Sequence, residues 1–199
     1  INFKISDIES LYLTKDGDII DSMFIANVPL GYSFGRHSDY GLYYFSEPTP
    51  KEENGAGISS VAYTPELSVE SGVYNDTDGI NLEISGNGTI YYTLDGSTPT
   101  TNSRVYSGPI FLKSTTVVKA ISYKEGKIPS EVKVGSYIIN ENHTIPVMSV
   151  SLNPGNFNKI QGDPWNTELE YSAYAELYED GKSFSIPCGF KLFGGSTRG

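Results

Sequence analysis

Apolar residues in this chain fall into short alternating runs, and each run is closed by turn chemistry. Ile80, Leu82 and Ile84 alternate with Asn81 and Glu83, and Ile90, Tyr92 and Leu94 alternate with Tyr91 and Thr93. Thr116 to Tyr123 and Val132 to Ile138 continue the same period of two. Asp95-Gly96, Pro99-Thr100 and Ser107-Gly108-Pro109 separate these segments. β-Branched and aromatic alternation broken by Gly, Pro and Asx residues predicts short antiparallel strands packed as a sandwich. The expected fold is therefore all-β: an immunoglobulin-like β-sandwich flanked by partial β-rich units.

The same pattern divides the chain into three stretches. In residues 1–56, Asn2 to Ser6 and Ser10 to Thr14 alternate, and Lys15-Asp16-Gly17-Asp18 supplies a hairpin turn before Ile19 to Phe24. Leu42 to Phe45 is a further strand, which ends at Glu47-Pro48-Thr49-Pro50 because proline removes ladder donors. Residues 57–139 form the sandwich. Residues 140–199 open with the strand Ile145 to Leu152, and Asn153-Pro154-Gly155 reads as a turn. Tyr171 to Tyr178 then sets Ala and Leu against Ser, Tyr and Glu on alternate faces. Glu179 to Lys182 turns the chain into Ser183 to Ile186 and Gly189 to Phe193. The chain begins at Ile1 inside a strand-like pattern and stops at Gly199 in mid-motif, so it is expected to be cut from a longer protein.

Composition narrows the function classes. A length of 199 residues and a hydrophobic share of 38% supply ample core material for a globular chain. The formal net charge of −10 repels nucleic acid and anionic membrane alike. Cys188 is the one cysteine, which excludes an internal disulfide and a cysteine-rich metal site, and it reads as a small core residue. No run approaches the length of a membrane-spanning helix.

Three segments carry family resemblances. Tyr91-Tyr92-Thr93, Asp95-Gly96-Ser97, Pro99, Tyr106 to Ile110, Val118-Lys119-Ala120, Ser130 and Tyr137 together resemble the chitobiase/hexosaminidase C-terminal family, also called the fibronectin-type-III-associated repeat. That resemblance implies an accessory sandwich joined to other domains, without an active site. Phe3-Lys4-Ile5, Leu11-Tyr12-Leu13, Asp16-Gly17, Asp21, Tyr32 to Arg36, Tyr44-Phe45, Pro48-Thr49-Pro50 and Asn54 resemble the C-terminal half of a bacterial lamin-tail domain. Half of such a sandwich leaves an open apolar face and unpaired edges, so residues 1–56 are expected to pack on a neighbour or on another copy. Ile145 to Val150, Asp180-Gly181-Lys182 and Gly189 to Gly199 resemble the opening of the spore-coat-protein-H (CotH) kinase family. In that family a phosphate-binding lysine and acidic metal ligands lie beyond this point, and this chain contains neither.

Candidate chemistry is sparse. Gly194, Gly195, Ser196 and Arg198 could offer backbone amides and a guanidinium to a nucleotide phosphate, though only within an intact parent. The stretch is not a Walker loop, and it misses Gly-x-Ser-x-Gly by Arg198. Neither His37 nor His143 has a nucleophile context, and no His-Glu-x-x-His is present. Asn75, Asp76 and Asp78, like Asp16 and Asp18, read as turn residues rather than calcium ligands. Tyr91, Trp165 and Tyr43 are candidates for a glycan-stacking platform, with Tyr44, Tyr123 and Tyr174 as further aromatics.

The expected function is non-catalytic: accessory β-modules of a secreted or surface-displayed bacterial protein, spacing and presenting a downstream CotH-like kinase domain. Carbohydrate binding and a nucleotide-binding part of a CotH-type kinase are the alternatives. No cofactor and no metal are expected. The expected partners are the rest of the parent protein and a cell-surface polysaccharide or protein, with no nucleic acid and no membrane insertion. An extracellular, cell-surface or spore-coat location follows from the resemblance.

Overall fold

The computed structural model describes residues 8–25, 27–29, 31–179 and 182–193. Strands make up 47% of the chain beside one short helix, so the all-β expectation holds. Contacts divide the chain into two compact units, residues 1–61 with 126–128, and residues 62–125 with 129–199.

In the first unit, β1 (Glu9–Lys15) and β2 (Asp18–Ile25) form an antiparallel hairpin, with Asp16 and Gly17 both at positive φ in the predicted Asp-Gly turn. Tyr12, Leu13, Ile19, Ile20 and Phe24 of this hairpin are exposed. A second hairpin pairs β3 (Ser33–Arg36) with β4 (Leu42–Phe45). Arg36 links the two hairpins: its guanidinium donates to both carboxylate oxygens of Asp21 at 2.7 Å and to the Ser22 carbonyl at 2.6 Å. This bidentate pairing holds the Asp21 carboxyl below its ordinary range. Tyr44 and Phe45 are buried, and Tyr44 exchanges backbone hydrogen bonds with Ile58 at 2.9 and 2.8 Å.

The second unit holds the sandwich. One sheet runs in the order β10 (Arg104–Val105), β9 (Thr89–Thr93), β12 (Thr116–Tyr123), β13 (Lys133–Ile139) and β6 (Gly72–Tyr74), with β13 and β6 parallel. The facing layer pairs β11 (Ile110–Leu112) with β7 (Ile80–Leu82), and β5 (Glu66–Leu67) with β8 (Ile84–Ser85). Ile80, Leu82, Ile84 and Leu112 meet Ile90, Val118, Ala120, Tyr137 and Ile139 in a single buried cluster. Tyr92 and Leu94 pack against it, which puts the inward face of β9 where the alternation places it. Gly135 leaves room for its neighbour: a Cβ there would stand 2.7 Å from Leu67 Cδ1, and that side chain would have to shift.

The last three strands form a separate sheet, in the order β14 (Val147–Leu152), β15 (Tyr171–Glu179) and β16 (Lys182–Phe190). Pro187 is tolerated because β16 is an edge strand. Between β14 and β15 lies α1 (Pro154–Gly162), where the sequence reads as a turn. The Asn153 side chain accepts from Gly155 N at 2.8 Å, and Pro154 opens the helix with a preset φ and no donor to waste. The same Asn-Pro-Gly tripeptide that suits a turn therefore caps a helix, whose Ile160 is buried.

Candidate functional site

The polar residues buried in the second unit converge on one seam. β12 and β13 are buried on both faces: Val118, Ala120, Tyr137 and Ile139 point into the sandwich core, while Lys119, Ser136 and Ile138 lie on the opposite side. The alternate set of β14 and β15 (Ser149, Ser151, Tyr174, Glu176 and Tyr178) covers that side. Register pairs Ser149 with Glu176, and Ser151 with Tyr174, on one face of the three-stranded sheet.

Lys119 and Glu176 are each only 2% exposed. The Lys119 ammonium stands 5.2 Å from the Tyr174 ring centroid and 3.5 Å from the Ser151 carbonyl. Burial pushes its pKa down, and the charges of Glu176 and Asp95 offset that only in part. The Glu176 carboxylate accepts from Ser136 Oγ, and Ser149 Oγ lies 2.8 Å from that same hydroxyl. With the Ser136 proton engaged by the carboxylate, Ser149 becomes the donor of the second bond. Tyr178 Oη reaches the Ser136 carbonyl at 3.4 Å, and burial, then the Glu176 charge, raise its phenol. Ser151 Oγ is buried without a hydrogen-bond partner.

The seam joins the two layers. A nucleophilic lysine or a general acid needs an approach path for the reacting atom, and Lys119 lies under Tyr174 with almost no solvent contact. Two open clefts border the seam. One, of about 710 Å³, is lined by Glu66, Glu70, Lys133, Tyr174 and Glu176 among others. The other, of about 600 Å³, is lined by Glu70, Tyr74, His143, Tyr178 and Glu179 among others. Among the described residues, no group of three or more His, Cys, Asp or Glu side chains could hold a metal ion.

The aromatic candidates do not converge. Tyr43 belongs to the first unit, where its hydroxyl donates to Asp39 at 2.9 Å and its ring meets His37 edge-on at 5.7 Å. Tyr91 lies in the second unit on the face of β9 opposite the core, edge-on to Tyr123 at 5.4 Å. Trp165 stands in the segment between α1 and β15 and is 62% exposed. Tyr44 is buried, and Tyr174 is engaged by Lys119. Gly194, Gly195, Ser196 and Arg198 lie outside the described residues. Asp76 and Asp78 flank a turn held by Asn140, which accepts from Thr77 N at 3.2 Å and donates to Thr77 O at 2.7 Å.

Sequence reasoning missed Lys119, Ser136 and Glu176 as a set. The signal was present in Val117-Val118-Lys119-Ala120-Ile121. A single charge in a run apolar on both faces marks a strand covered on both sides, with a charge that needs a partner.

Residues 80–137 match the Fn3 associated family model, so this segment is similar to the chitobiase/hexosaminidase C-terminal-like domains. The match runs from β7 into β13 and does not extend to the segments that resemble the lamin-tail and CotH families. No curated protein and no solved structure matches the chain.

Proposed function

We propose that this chain is a non-catalytic set of accessory β-modules from a secreted or surface-displayed bacterial protein, whose task is to space and present a CotH-like kinase domain. The Fn3 associated match supports the accessory character of residues 80–137. The observation that carries the presenting role is the seam. A sandwich that only had to fold would leave the outer face of its central sheet polar and in water. Here that face is committed to the following three-stranded sheet through Ser136, Lys119, Glu176 and Tyr178. Such a joint turns two successive β-layers into one mechanical piece. The polar contacts fix register between the layers, as hydrogen bonds with strict geometry do and apolar contacts do not.

The test has three arms. Residues 62–193 should unfold in one cooperative transition by both far- and near-UV circular dichroism, since independent layers melt separately. Calorimetric titration with MgATP should give no binding, and a glycan array no saturable signal. Two separate transitions would end the spacer reading. A glycan signal lost in Trp165→Ala would replace it with carbohydrate binding, and MgATP binding would replace it with a nucleotide site.

A further inference from the structure

Strand direction where the chain enters and leaves the sandwich has a mechanical consequence. The chain comes in at Ala62 and pairs first through β5, where only Glu66 and Leu67 are held, by β8. It then forms β6, which runs parallel to β13, the strand by which the chain leaves the sandwich. Register sets Gly72, Val73 and Tyr74 beside Tyr137, Ile138 and Ile139. In a parallel pair, the incoming end of one strand and the outgoing end of the other lie at opposite ends of the ladder. Tension on the chain therefore drags β6 and β13 past one another along their length, and the hydrogen bonds between them must fail together. A pair pulled apart from one end would open one bond at a time.

Side chains extend this short ladder in both directions. Ahead of β6, the Val69 carbonyl accepts from Tyr137 Oη at 2.8 Å. Beyond it, Asn140 N donates to the Tyr74 carbonyl at 2.7 Å, and the Asn140 side chain bonds both Thr77 N and Thr77 O. Asn140 does this at φ 56°, a left-handed backbone that asparagine adopts more readily than most residues. The three-stranded sheet repeats the arrangement. β14 starts at Val147 beside Tyr178, whereas β16 ends at Phe190 beside Tyr171, so the chain enters and leaves that sheet at opposite ends. Its ladders, too, are loaded along the strands.

We propose that the second unit is a load-bearing link, which stays folded while the chain is under tension along its length. The spacer reading underlies this, since a module that holds one domain away from another is pulled by its two ends. Resistance to force follows the barrier to unfolding and not equilibrium stability, so the two quantities can be separated.

Single-molecule force spectroscopy on the 199-residue chain tests it, in a Cys188→Ser background. Held by its two ends, the chain should release the stretch from Gly72 to Phe190 in one event, about 400 Å of extended chain. With handles moved to Asn75→Cys and Asn142→Cys, the load opens the β6–β13 pair from one end, and the unfolding force should drop several-fold. Among variants pulled by the ends, Tyr137→Phe and Asn140→Gly should each lower the force, the glycine keeping the left-handed backbone while removing the side chain. Leu112→Ala, on β11, should cost more equilibrium stability and less force. Near-UV circular dichroism checks that each variant is folded. An equal force in the two pulling directions overturns the proposal, and so does a force that simply follows equilibrium stability across the three variants. Separate release of the two layers, each above the force of the Asn75 and Asn142 handles, would end the one-piece spacer reading while upholding the load-bearing link.

Discussion

Two sheets in the second unit bury opposite kinds of residue. The sheet built on β9, β12 and β13 hides aliphatic and aromatic side chains on one face and Lys119 and Ser136 on the other. The sheet of β14, β15 and β16 hides Ser151 and Glu176 and half-buries Ser149, while Met148, Val150, Phe184 and Ile186 stay in water. Alternation is equally clean in both, so alternation alone does not say which face is covered. The difference lies in what each face can offer a neighbour. Apolar faces gain from any apolar partner, whereas a face of hydroxyls and one carboxylate gains only where every group meets a matched group. The seam meets that condition at Ser136, Ser149 and Glu176, and falls short of it at Ser151.

The most damaging way to break the comparison is to empty the apolar side of the central sheet. Tyr137 is fully buried and its hydroxyl donates to the Val69 carbonyl at 2.8 Å. Tyr137→Ala should cost about 3–5 kcal/mol in denaturant unfolding, and Tyr137→Phe only about 1 kcal/mol. Equal losses in the two variants would mean that the hydrogen bond, not the packing, holds the core.

Attacking the polar side should hurt less but change more. Glu176→Ala leaves the Ser136 hydroxyl without its carboxylate acceptor and Lys119 without its nearby carboxylate, at a cost of about 2–3 kcal/mol. Its distinguishing mark is loss of cooperativity, with the three-stranded sheet melting before the sandwich. A single transition merely shifted in midpoint would show that apolar contacts alone join the layers.

Much of this architecture was legible from residue order. The Asp16-Gly17 turn, the inward set Ile90 and Tyr92, and the strands from Thr116 and from Tyr171 all follow from period two and turn chemistry, because such signals are local. What was not legible is non-local or ambiguous. Asn153-Pro154-Gly155 serves a turn and a helix start equally well, and only the burial of Ile160 decides between them. The doubling of layers over β12 and β13 depends on partners 13 to 40 positions downstream, which no short window of sequence reports. The glycan candidates were named one by one for being aromatic, and aromatic residues also build sandwich faces and edge-on pairs, as Tyr91 and Tyr123 do.

The buried ammonium sharpens the comparison through pH. Below its folded pKa, Lys119 imposes the cost of a charge held away from water. That pKa lies below the ordinary 10.5, so between the two values the unfolded chain holds a proton that the folded chain has released. Unfolded protein then binds more protons, and stability rises with pH across that window. The raised phenols of Tyr137 and Tyr178 act in the other direction at higher pH, since unfolded tyrosines ionise first. Lys119→Met cancels the lysine contribution and leaves the tyrosines. At neutral pH the variant should be at least as stable as the parent, within about 1 kcal/mol. The stability difference, parent minus variant, should climb as pH approaches 10.5. A flat difference would mean that Lys119 stays hydrated when folded.

The smallest expected effect concerns the end of the open face that α1 covers. α1 buries Ile160 completely and sets Phe157 against Phe190 at 6.3 Å, on the strand face that carries Ala173 and Cys188. Asn153→Ala removes the side-chain acceptor for Gly155 N at the helix start and should cost about 1 kcal/mol. Nine residues are too few to hold a helix without tertiary contacts, so fraying at the first turn loosens the cover rather than the sheet beneath. Cys188 reports on this directly, because its thiol is half-buried on that face. Its reaction with a thiol reagent should speed up in Asn153→Ala while the strand signal in circular dichroism holds. An unchanged rate would show that Phe157 and Ile160 anchor the helix without its cap, and the apolar face would then end at α1 by packing alone.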